Sequence, residues 1–218
     1  MAHLAVNGRL LPTFFVLVCI IPTFFGIYRI FLILTQGPIL LSFLPEQVDN
    51  LPLLLHVIGG VGFLTLGALQ ILPGFRSRNL ARHRALGRIT ASLGVLAGIS
   101  GVWMTLLHQE ISGPVLFYGR LMSGTAWTVF ILISIRFVIR RNITRHRNWM
   151  LRAYAIALPA GTLAFFMLPI VLIFGEEGNE LLFEWVQVVA WPVHLAIAEA
   201  IIRRPARLRG SPMALPAE

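Results

Sequence analysis

Lysine is absent from this chain: all 18 Lys+Arg positions are arginine. That excludes Schiff-base chemistry and a Walker-type phosphate lysine. Cysteine occurs once, as Cys19, which excludes an intrachain disulfide, a cysteine-based zinc site and an iron–sulfur cluster on the chain's own thiolates. Acidic residues number nine. None of them forms an H-E-x-x-H motif or a carboxylate pair inside an apolar stretch, and no nucleophile elbow is present.

What the chain has in abundance is apolar surface. Hydrophobic residues make up 57% and charged residues 12%, with a mean hydropathy of +0.80, far outside the range of soluble domains. A transmembrane helix needs about 20 predominantly apolar residues. Six stretches qualify, at 10–34, 51–73, 86–107, 117–139, 152–174 and 181–202. The expected fold is an all-α membrane protein, a single six-helix domain over 1–218 with a short basic, then flexible tail at 203–218. The first stretch exceeds the 7–15 residues of a signal-peptide apolar region and lacks a small-residue cleavage site near its end, so it reads as a retained anchor.

Arginine placement orients the helices. Arg76, Arg78, Arg82, Arg84 and Arg88 follow the second stretch, Arg140, Arg141, Arg145 and Arg147 the fourth, and Arg203, Arg204, Arg207 and Arg209 the sixth. The alternate loops hold Glu46 and Asp49, then Glu110, then Glu176, Glu177 and Glu180. By the positive-inside rule both termini are cytoplasmic and the acidic loops face outward. The net charge of +9 is thereby spread over alternate loops; a nucleic-acid binder would gather it on one soluble face. Anionic lipid headgroups are the expected partner of Arg82, Arg84, Arg88, Arg145, Arg147 and Arg152, with Trp149 as an interfacial indole.

The basic segments also repeat. Arg82-His83-Arg84 is followed by Arg88, and Arg145-His146-Arg147 by Arg152, so helices two–three and four–five read as parallel hairpins. His56 stands 27 residues before His83 and Arg120 stands 26 before His146, placing an ionisable group near the outer end of each hairpin's first helix. Helical spacing puts His56, Gly60, Phe63, Gly67 and Gln70 on one stripe. Gly87, Ala91, Gly94, Gly98 and Gly101 form a small-residue stripe that allows close helix approach. Arg120, Trp127 and Ser134 recur at heptad spacing, and Glu184, Gln187, Trp191 and His194 form a polar arc.

Ionisable groups inside a membrane are candidates for function. His56, His108 and Arg120, backed by Gln70, Gln187 and His194, form a candidate outer pocket for a small ligand. His56 could equally hydrogen-bond a neighbouring backbone, and His194 could lock two helices. His83 and His146 are expected in loops at the inner interface, and Arg29 and Arg136 close enough to helix ends to snorkel. Interior prolines Pro22, Pro159, Pro169 and Pro192 are expected to kink their helices.

Leu55-His56-Val57-x-Gly59-Gly60 with Gly67-x-x-Gln70, His83-Arg84-x-x-Gly87-Arg88, Trp127, and His146-Arg147-x-Trp149-Met150-x-Arg152-x-Tyr154-Ala155 resemble the bacterial membrane family called domain of unknown function 2306. Ala198-Glu199 also fits, while Gly161-Thr162-Leu163-Ala164-Phe165 lacks the family's usual arginine and His194 stands where asparagine is common. The resemblance implies a membrane bundle and names no activity.

Three functions stay open. One is binding or transport of a small ligand at the outer pocket, and one is a scaffold subunit of a membrane complex or a homo-oligomer. The alternative is electron transfer by haem b, on the analogy of cytochrome b561 bundles, with His56, His108, His83 and His146 as candidate ligands. No metal other than such a haem iron is implied, and no catalytic residue.

Overall fold

The computed structural model describes residues 10–35, 50–71, 75, 79–109, 112–175 and 178–203. Glu46, Asp49, Arg76, Arg78, Glu110, Glu176, Glu177, Arg204, Arg207 and Arg209 lie outside the described residues. The described residues form seven helices and no strand. These are α1 (Leu10–Thr35), α2 (Asn50–Ile71), α3 (Leu80–Leu107), α4 (Pro114–Ile139), α5 (Ile143–Ala157), α6 (Pro159–Phe174) and α7 (Glu180–Arg203).

Five helices are long and apolar enough to cross a bilayer unaided, and α5 with α6 makes a sixth, bent span. The stretch expected at 152–174 is therefore longer and broken. Its axis turns by 43° between Ile143–Leu163 and Phe165–Phe174. The turn sits four residues before Pro169, where the proline ring collides with the preceding turn's carbonyl. Pro159, which has no N–H to give, accounts for the separate interruption at Leu158.

Helix starts follow local chemistry. Asn79 caps α3 by accepting from Arg82 N–H at 2.9 Å, and Asn142 caps α5 by accepting from Arg145 N–H at 3.1 Å. Both Arg-His-Arg segments are consequently helical. The expectation that His83 and His146 precede their helices is corrected: the capping asparagines, four residues upstream, start each helix earlier than the apolar pattern does. Between α4 and α5 the chain turns in a Schellman motif, Arg141 N–H to Val138 O at 3.0 Å and Asn142 N–H to Phe137 O at 2.9 Å. Arg141 holds the left-handed position, with φ of 57°.

The core lies among α2, α3, α4 and α5, where Phe63, Leu64, Ala97, Trp127, Ile131 and Tyr154 are buried together. α1 packs on α2 and α6, and α7 on α4, α5 and α6. Small residues set the spacing: a Cβ on Gly94 would overlap Phe63 and Ile131, and one on Gly98 would overlap Thr128. Hydroxyls inside the spans bond the carbonyl one turn back, as Thr65 to Val61 at 2.7 Å, Thr90 to Leu86 at 2.8 Å and Thr105 to Gly101 at 2.8 Å. Outside, Leu17, Phe24, Phe31, Met122, Leu132 and Leu172 are exposed, a surface suited to hydrocarbon and not to water. Arg136 is exposed, as snorkelling requires. Arg29 is not: it is buried in the bundle, because its side chain faces the packed interior before it can reach a helix end.

Candidate functional site

The bundle has two chemically different ends. One carries the arginine-rich starts of α3 and α5. The other carries His56, the end of α3, and the starts of α4 and α7.

At the second end, α4 begins badly by itself. Its N-cap is Gly113, which has no side chain to accept from the first-turn amides, and Pro114 follows. Glu184 of α7 supplies the missing acceptor, taking Leu116 N–H on Oε2 at 3.4 Å. A Cβ on Gly113 would overlap that carboxylate, so glycine is the residue the site permits. A carboxylate there also meets the positive end of the helix dipole.

One and a half turns further along α4, the half-buried Arg120 donates from Nη1 to Ser112 Oγ at 2.5 Å. It stands within electrostatic reach of Glu184 and of the His56 ring. His56 donates from Nδ1 to Ala97 O at 2.8 Å and stands edge-to-face with Trp127, ring centroids 6.4 Å apart. That bond holds Nδ1–H and leaves Nε2 as the imidazole's acceptor. Gly101 makes the approach possible, since a Cβ there would come to 2.9 Å from His56 Nδ1. His108 closes α3 at this end, its N–H bonded to Met104 O at 3.1 Å.

The other residues expected at the outer pocket are placed elsewhere. Gln70 lies 14 residues beyond His56 on α2, about 21 Å at a helical rise of 1.5 Å per residue. Gln187, one turn from Glu184, donates to Phe183 O at 3.3 Å on its own helix. His194 bonds Ala190 O through Nδ1 at 2.7 Å and meets Thr162 Oγ1 through Nε2 at 3.0 Å, tying α7 to α6.

At the arginine-rich end, Arg82, Arg84, Arg88, Arg145 and Arg147 are exposed. Arg152 and Trp149 turn inward instead. Arg152 pairs with Glu199 of α7 at 2.5 Å, Arg203 shares the same carboxylate at 3.5 Å, and the Arg152 guanidinium lies over Trp149, 4.6 Å from the ring centroid. His146 is held by Ser134 of α4: Nδ1 lies 2.8 Å from Ser134 Oγ and 3.1 Å from Ser134 O, and Oγ donates to His146 O at 2.9 Å. Tyr154 donates to Leu64 O at 2.8 Å, with its ring against Gly67.

The interior between His56 and His146 is filled by Trp127, Phe63, Ile131 and Tyr154, with Phe63 and Ile131 both 0% exposed. Among the described residues no group of three His, Cys, Asp or Glu side chains could hold a metal ion.

Sequence reasoning missed Ser134 as a partner of His146, Ser112 as a partner of Arg120, and Glu184 as a cap in trans. The Asn79 and Asn142 caps did leave a local signal, an asparagine four residues before each Arg-flanked histidine. The long-range partners left none.

No curated protein and no solved structure matches the chain. Residues 53–202, more than half of the chain, match the family described as Predicted membrane protein (DUF2306), and the chain belongs to that family.

Proposed function

We propose that this multi-pass membrane protein binds a small anionic ligand at the Arg120 end of the bundle, facing outward from a bacterial inner membrane with both termini cytoplasmic. The observation that carries the reading is the hydrogen-bonding of Arg120. A guanidinium offers five N–H donors, and among the described residues one hydrogen bond, to Ser112, is made. Glu184 is held at the α4 start, and the half-buried remainder of the guanidinium is matched to a carboxylate, which it can grip with two parallel bonds. His56 Nε2 adds a second polar contact at the same end.

The test is titration of the purified protein with a panel of small mono- and dicarboxylates by calorimetry. Wild type is expected to bind at least one, and Arg120→Gln to lose about tenfold or more in affinity, the equivalent of one charge-assisted hydrogen bond. Equal affinities in wild type and Arg120→Gln would remove the reading. Absence of binding to every member would leave the scaffold reading, which the interhelical locks Arg152–Glu199, Ser134–His146 and Thr162–His194 support.

A further inference from the structure

The seam between α2 and α3 is tight at one end and slack at the other. At Gly59 a Cβ would stand 2.7 Å from Leu93 O and 2.8 Å from Ala97 N, so backbone presses on backbone. At Gly87, toward the arginine-rich end, a Cβ would find one heavy atom of the described residues within 4 Å, Gln70 Oε1 at 3.7 Å. The seam widens over the three turns between them.

In the wide part stands the side chain of Gln70. Its Oε1 and Nε2 are both buried, and neither has a hydrogen-bond partner among the described residues. Leaving such groups unanswered in a packed interior is unfavourable. An amide presents two N–H donors and one carbonyl acceptor, so whatever answers it must bring an acceptor and a donor together. α3 adds positive charge at the mouth: Arg84 and Arg88 are exposed on either side of Gly87.

We propose that the wide end of the α2/α3 seam binds a phosphate ester carrying a free hydroxyl, the chemistry shared by a phosphatidylglycerol headgroup and soluble glycerol phosphate. Phosphate oxygens accept from Gln70 Nε2 and from the arginines, and the hydroxyl donates to Gln70 Oε1. A phosphocholine headgroup has the phosphate but no N–H or O–H to donate, and leaves Oε1 unanswered. This demand for a donor separates the site from the general pull of basic residues on anionic lipid.

The experiment uses the full chain in phosphatidylcholine nanodiscs, with phosphatidylglycerol retention measured by native mass spectrometry for wild type, Gln70→Leu, Gly87→Ala and the control Gln109→Leu, an exposed amide at the other end of the bundle. Wild type is expected to retain phosphatidylglycerol about tenfold better than Gln70→Leu, one lost hydrogen-bonding group's worth of affinity. Gly87→Ala, whose Cβ fits but narrows the seam, is expected to fall between them, and Gln109→Leu to stay within about twofold of wild type, as for an exposed surface substitution. Adding soluble glycerol phosphate assigns the source: displacement of the lipid means the soluble ester shares the site, and no displacement means the headgroup is taken only from the bilayer. Equal retention by wild type, Gln70→Leu and Gly87→Ala would overturn the proposal, and the alanine variant alone decides it should the leucine variant not fold.

Discussion

α3 and α5 each begin with an asparagine that accepts from the amide three residues on, and each continues with Arg-His-Arg. What the preceding helix brings up beside each start then differs. His146 is clasped by Ser134, whose hydroxyl and carbonyl both reach the ring while the hydroxyl also takes up His146 O. On the α2/α3 side the polar residue brought up by the preceding helix is Gln70, whose amide has no hydrogen-bond partner among the described residues and whose Oε1 would stand 3.7 Å from a Cβ on Gly87. The same local start thus serves one closed seam and one open seam. What decides is the residue opposite, a short hydroxyl that completes its own hydrogen bonds or a longer amide that cannot.

Five substitutions would break or sharpen this contrast. The largest effect is expected from the two polar residues themselves, and with opposite signs. Ser134→Ala removes a fully buried hydroxyl that makes two of the seam's bonds and should destabilise the protein by about 1–3 kcal/mol in detergent unfolding. Gln70→Leu removes an unanswered amide and should raise the unfolding midpoint when no phosphate ester is present. Shifts of the same sign would dissolve the distinction between the seams. Next, Asn79→Ala and Asn142→Ala should each cost about 1 kcal/mol, since both caps make the same bond; a clear inequality in thermal melts would show that the likeness of the two starts is only geometric. The smallest change is expected at the tight turn of the closed seam. Arg141 stands at φ 57°, where a side chain costs about 1 kcal/mol and glycine returns part of that as unfolded-chain entropy. Arg141→Gly should therefore gain about 0.5 kcal/mol, read as a small rise in midpoint with helical content unchanged.

Much of the architecture was legible because the membrane makes it local. Length and apolarity mark spans, and the stripes on α2, α3 and α4 follow from a period of 3.6 residues. Trp127 and Ser134 are buried as that period implies, and Gly94 and Gly98 lie at close helix contacts. The helix starts at Asn79 and Asn142 were also written locally, but apolar counting passes over them because the first turns are basic. The site was less legible. That Glu184 would cap α4, that Arg29 would be buried while Arg136 snorkels, and that Gln70 would be remote from Arg120 all depend on which faces pack together. A helical period says which residues share a face and nothing about which neighbour that face meets.

The cap of α4 carries a consequence for how the chain is made. Leu116 and Glu184 are 68 residues apart, so α4 is synthesised and enters the bilayer long before its acceptor exists. That acceptor arrives only with α7, which follows the order of insertion first and helix association second. α7 is thus a latch on the start of α4, and a ribosome that stops before Glu184 leaves the Leu116 N–H without its carboxylate.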